Sequence, residues 1–86
     1  MNNKARKLLD RAMNSTAGWR TNDLVELYKC FGFEFREGRD IVATHPEYKE
    51  LRASISRSSG GLANGYVRHA VKTIKRLLEL QGGGDE

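Results

Sequence analysis

Only one cysteine, Cys30, occurs among the 86 residues, so no internal disulfide can form, and the chain fits a reducing cytoplasm. No run of eighteen apolar residues is present, which excludes a helix of membrane-spanning length. The opening MNNKARKLLD lacks the apolar stretch of a signal peptide, and a cytoplasmic location with no membrane contact is expected. The two histidines, His45 and His69, stand far apart and with a lone cysteine give no zinc-ligand spacing. No phosphate-binding glycine loop, dinucleotide fingerprint or Ser/His/Asp arrangement is found, so neither a metal nor a cofactor is expected. No internal repeat is visible. Acidic residues are in deficit, 11 against 15 lysines and arginines, and the net charge of +4 points to a polyanionic partner, RNA or an acidic protein.

What is present reads as one α+β domain over residues 1–86. Its centre is Gly32–Ser56. Phe31, Phe33 and Phe35 alternate with polar residues at the period of a half-buried strand. Glu37-Gly38-Arg39 supplies a turn in which glycine permits positive φ. Asp40–His45 is a second β-prone run, whose apolar residues divide between both faces. Leu51, Ala53 and Ile55 alternate as a third. Short connections make the three an antiparallel meander, and so small a sheet needs helices to cover its apolar face.

Helices flank it on both sides. Ala5, Leu8, Leu9, Ala12 and Met13 give residues 3–14 an apolar face, with Lys4, Arg6, Lys7 and Arg11 opposite. Asn14–Gly18 reads as a loop. Thr21, Asn22 and Asp23 are each candidate N-caps for a second helix, and Asp23 with Glu26 has capping-box spacing. Gly32 stands where a C′ glycine ends a helix. Trp19 is suited either to packing on that helix's first turn or to stacking on a base. Arg57–Gly61 is a hydroxyl-rich loop. The last helix, about Tyr66–Leu80, sets Val67, Ala70, Val71, Ile74, Leu77 and Leu78 on one arc. Arg68, His69, Lys72, Lys75 and Arg76 occupy the opposite arc, with no acid before Glu79. That stripe serves either a solvated face or a polyanion. Residues 81–86 are expected to be a disordered tail.

The order of helix, three-stranded meander and basic helix is the layout of double-stranded RNA-binding domains. Residues 20–80 more specifically resemble the HicA family of toxin ribonucleases, with residues 1–14 as an N-terminal helical extension. The resemblance rests on Asp23-Leu24-Val25-Glu26-Leu27 leading to Gly32-Phe33-Glu34, and on Gly38 followed by His45-Pro46. Leu51–Ser56 and Ala63-Asn64-Gly65-Tyr66-Val67-Arg68 carry it further. It implies a toxin of a type II toxin–antitoxin system that binds mRNA, cleaves it without metal, and pairs with an acidic HicB-type antitoxin. Under it, Arg39, Arg57, Arg68, Lys72 and Lys75 are the RNA-binding residues.

The family carries a catalytic histidine where this sequence has Asp40. RNA cleavage without a metal needs a base for the ribose 2′-hydroxyl and an acid for the leaving oxygen, best supplied by groups titrating near neutrality. Histidine starts near pKa 6.5 and aspartate near 3.9, so Asp40 is a weak base and a poor proton donor. His45 falls at the family's second histidine position and is the remaining catalytic candidate, or else a turn residue before Pro46. Two accounts follow: a ribonuclease using His45, or a module that binds RNA or an antitoxin with cleavage impaired.

Overall fold

A computed structural model describes residues 3–56 and 63–82. The elements run α1 (Asn3–Asn14), α2 (Thr21–Cys30), β1 (Glu34–Glu37), β2 (Ile41–Thr44), β3 (Arg52–Ile55) and α3 (Asn64–Leu80). The three strands form an antiparallel sheet in the order β1-β2-β3, an α+β architecture with the expected meander at its centre. Among the described residues no helix is long and apolar enough to cross a membrane.

Register divides the sheet into two faces. Phe35, Ala43 and Ala53 pair across the strands, as do Glu37, Ile41 and Ile55; Ala43, Ala53 and Ile55 are buried beneath the helices. The other face carries the rows Glu34–Thr44–Arg52 and Arg36–Val42–Ser54, whose residues are exposed or half-buried. β2 does split its apolar residues, Ile41 and Ala43 inward, Val42 outward. From α3, Val67, Ala70, Ile74 and Leu77 enter the core, on the arc the periodicity predicts.

The first strand is shorter than the phenylalanine alternation suggests, because the end of α2 takes Phe31, Gly32 and Phe33. Phe31 caps the helix, Gly32 follows at φ +88°, and Phe33 N–H bonds to Tyr28 O while Gly32 N–H bonds to Lys29 O. This is the paired cap of a Schellman ending. The Phe33 N–H is thereby lost to the sheet ladder, and β1 begins one residue later. Gly38 closes its turn outside the left-handed region, so no positive φ is needed there; Gly38 N–H donates to Asp40 O at 3.2 Å. Gln81 and Gly82 continue α3 as its cap, with Gly82 at φ +80°, and the rest of the expected tail lies outside the described residues.

The start of α2 also differs from expectation. Arg20 is the N-cap residue, and Asp23, third in the helix, accepts the Arg20 N–H at 3.1 Å. Thr21 Oγ1 donates instead to Ser56 O at 3.0 Å, tying α2 to the end of β3. Glu26 is taken up by Lys4 of α1, at 2.6 Å. The same pair holds the Lys4 ammonium pKa up and the Glu26 carboxyl pKa down, chiefly through their hydrogen bond.

Trp19 is fully buried. Its indole N–H donates to Ser15 O at 3.0 Å and the Arg11 guanidinium lies 4.5 Å from the ring centroid. Neither face is open to a base. Arg11 also reaches Asp23 at 4.0 Å, so α1 runs antiparallel to α2, Lys4 against Glu26 and Arg11 against Asp23.

The Tyr28 hydroxyl is buried with no hydrogen-bond partner in good geometry. Burial raises its pKa, and the neighbouring Thr73 hydroxyl pulls weakly the other way. An unsatisfied buried hydroxyl costs about 1–3 kcal/mol. Tyr28→Phe is therefore expected to raise stability by about 1 kcal/mol, because Thr73 meets part of the need. The sign with pH follows from the raised pKa. The unfolded chain releases this proton near pH 10 while the folded one holds it, so native protein loses stability above about pH 10 relative to the variant. Denaturant midpoints at pH 7 and pH 10.5 check both; a lower midpoint for the variant at pH 7 would mean that the hydroxyl is bonded.

Candidate nucleic-acid interface

The two ends of the sheet differ in what they hold. At the β1–β2 turn, Glu37, Ile41 and Ile55 are level with one another, so Gly38, Arg39 and Asp40 project where β3 ends. The Thr21–Ser56 bond brings the start of α2 to this end. The start of α3 is here too, since Ala63, Gly65, Tyr66 and His69 border a cleft with Ser54. At the other end lie the last turns of both helices. Gly32 abuts His45, where a Cβ would stand 3.5 Å from Nε2, and Tyr48 donates its hydroxyl to Leu80 O at 3.3 Å. Thus α2 and α3 run parallel and direct both positive dipole ends toward the Gly38 turn.

Cations on both helices divide into paired and unpaired. On α1, Lys4 and Arg11 are paired with Glu26 and Asp23 of α2, while Arg6 and Lys7 are exposed and meet no carboxylate among the described residues. On α3, Arg76 meets Glu79 at 3.4 Å. Arg68, Lys72 and Lys75 are exposed, and among the described residues none of them meets a carboxylate. Their spacing of four and three places them on one stripe. Arg39 is exposed at the Gly38 turn and shares a shallow depression with Arg36, Asp40 and Ser54. Arg57 lies outside the described residues.

Asp40 and His45 stand at opposite ends of β2. Five residues of strand at about 3.4 Å each separate them by roughly 17 Å, too far for one reaction centre. Asp40 is exposed beside Arg39 and shares a depression with Ser54, which also borders the cleft at the start of α3. His45 is 4% exposed. Its Nδ1 accepts the Glu47 N–H at 3.1 Å, and its ring packs edge-on against Phe33 and tilted against Tyr48, with centroids 5.3 Å away in each case. With Nδ1 occupied as an acceptor and Nε2 turned to Gly32, the imidazole organises the Pro46–Glu50 connection. His45→Ala is expected to cost about 2–4 kcal/mol from lost packing and an orphaned N–H. RNA affinity of the folded variant should stay within twofold. A variant with native thermal stability and lost RNA cleavage would place His45 in the chemistry instead.

Two features add to the candidates named from the sequence. Arg36 and Arg52 point outward from the sheet, as the period-two alternation predicts, although neither is among the RNA-binding residues the resemblance implies. The exposed His69 reaches Thr73, with Nε2 3.4 Å from Oγ1, and helps explain a threonine buried on the apolar side of α3. Comparison with protein-family models, with curated proteins and with solved structures finds no match in any of the three.

Proposed function

We propose that this chain is an RNA-binding module of the HicA type, built on a scaffold like that of double-stranded RNA-binding domains, with cleavage weak or lost. The observation that carries the reading is the row on α3. Arg68, Lys72 and Lys75 stand exposed on one stripe at spacings of four and three, and none meets a carboxylate among the described residues. A phosphate backbone is the partner that rewards such a row, because each contact releases condensed counterions. Parallel α2 and α3 add two positive helix ends beside Arg39, where a phosphate gains further. Within the HicA-like reading, cleavage belongs at the Gly38 turn, where Asp40 offers a carboxylate. His45, the other catalytic candidate, is buried at the far end of β2. This distance favours binding without efficient cleavage over a His45-dependent ribonuclease.

The test is a titration of labelled mRNA with purified protein in EDTA across a salt series. Log affinity should fall linearly against log salt with a slope of at least about −2, as three phosphate contacts require. Binding that is absent, or insensitive to salt, would overturn the reading. The same mixtures, run on a gel, report cleavage.

A further inference from the structure

β1 and β3 are the two edges of the sheet, and they are not equivalent. The bond from His45 N–H to Leu51 O fixes the alternation between β2 and β3. Ser56 therefore turns its carbonyl outward, where the Thr21 hydroxyl takes it up. That edge is closed at one end, and Arg52 is the only charge on β3. On β1, the bond from Gly38 N–H to Asp40 O places Arg36 and Glu34 in hydrogen-bonded pairs with Val42 and Thr44. Phe35 between them turns its N–H and C=O away from β2, to the open edge. No backbone bond outside the sheet takes up either group among the described residues. Glu34 and Arg36 are exposed on the outer face, and neither has an ion-pair partner among the described residues. Like charges along an edge keep other strands away. Here the signs are opposite and stand one on each side of Phe35, which makes the edge complementary to itself.

We propose that β1 pairs antiparallel with β1 of a second copy of this chain, about a two-fold axis through Phe35. At that register Phe35 exchanges both of its backbone hydrogen bonds with its counterpart. Glu34 of each copy lies opposite Arg36 of the other, so the contact carries two cross-strand ion pairs. Centred on Glu34 or on Arg36 instead, the pairing would set like charges against each other. The axis stands perpendicular to the sheet, so both copies keep their helices on one side. The two half-buried Phe35 rings then face one another on that side, and apolar surface is covered as well. A contact of one four-residue strand is small, so the dimer is a weak one that forms at high concentration. Nothing in it depends on the RNA-binding reading.

Sedimentation equilibrium of the native chain, from micromolar to millimolar concentration, should show a monomer–dimer equilibrium. Glu34→Arg and Arg36→Glu each turn the two attractive pairs into two repulsive ones. Either change alone should weaken self-association about tenfold or more. Mixed in equal amounts, the two variants should associate with each other, because every cross-strand pair is then opposite in sign. The double variant, Glu34→Arg with Arg36→Glu, should dimerise as the native chain does for the same reason. Both positions are exposed and lie opposite uncharged residues of β2, so the fold should tolerate the changes, and thermal melts verify it. A native chain that stays monomeric at millimolar concentration would overturn the proposal. So would single variants that self-associate as native protein does, since another surface would then make the contact. Failure of both the mixture and the double variant to dimerise would overturn it too, because the register through Phe35 would be wrong.

Discussion

Replacing Arg68, Lys72 and Lys75 together with glutamine should weaken RNA binding about 100-fold or more near 0.1 M salt. Each phosphate contact contributes roughly 0.7–0.9 to the slope of log affinity against log salt, so three lost contacts flatten it by roughly 2–2.7. At 0.1 M salt that change in slope amounts to more than two decades of affinity. All three side chains are exposed, so the fold should tolerate their loss, and an unchanged thermal midpoint verifies that. The control is Lys4→Gln on α1. Lys4 is already satisfied by Glu26, and its loss frees a carboxylate rather than a phosphate site, so a few-fold change at most is expected. If the triple variant keeps both the affinity and the slope of native protein, the stripe is a solvated face and RNA binding by α3 is wrong.

The sequence reading located this stripe correctly on the outer arc of α3 but could not sort it from the equally basic face of α1. Part of the difference lies in partners that are distant in the chain, although Arg6 and Lys7 of α1 have no carboxylate partner among the described residues. Lys4 meets Glu26 and Arg11 meets Asp23, and nothing in local periodicity records those meetings. The same limit governs the fold. Alternation in Leu51–Ile55 and the 3.6-residue arc of α3 were legible because each is a local pattern facing one core. Gly32 was legible as a helix end, yet its consequence for β1 was not. The residue after it, Phe33, gives its N–H to the cap, so a phenylalanine that looks like a strand residue packs instead between Tyr28 and His45. Thr21 had the right chemistry for an N-cap and spends its hydroxyl on Ser56 instead. Met13 belongs to the apolar face of α1 by spacing, but it sits at the edge of that arc, where the contact with α3 runs out. Its exposure is a property of how two helices meet.

Where Asp40 falls matters more for function than any of these. Under the HicA-like reading, Asp40→His should raise RNA cleavage by about 10²-fold or more, the contribution of one positioned general acid–base group. Three features of the site point the same way. Asp40 is exposed at the turn, so an imidazole there is reachable by substrate without displacing the core. It stands at the sheet end that Arg39 and the first turns of α2 and α3 share, where a bound phosphate would bring the ribose close. The exchange also removes a carboxylate that repels phosphate, so RNA affinity should rise slightly rather than fall. The rival account gives His45 the chemistry, and it predicts another pattern: measurable native cleavage, abolished by His45→Ala and little altered by Asp40→His. The burial of His45 and its bond to Glu47 N–H make that pattern the less expected one. Native protein, Asp40→His and His45→Ala are compared on one labelled RNA in EDTA, with thermal melts to separate lost folding from lost chemistry. A gain confined to Asp40→His supports the impaired-module reading. Strong native cleavage that survives His45→Ala would sink both accounts, because the groups that move the protons would then lie elsewhere on the chain.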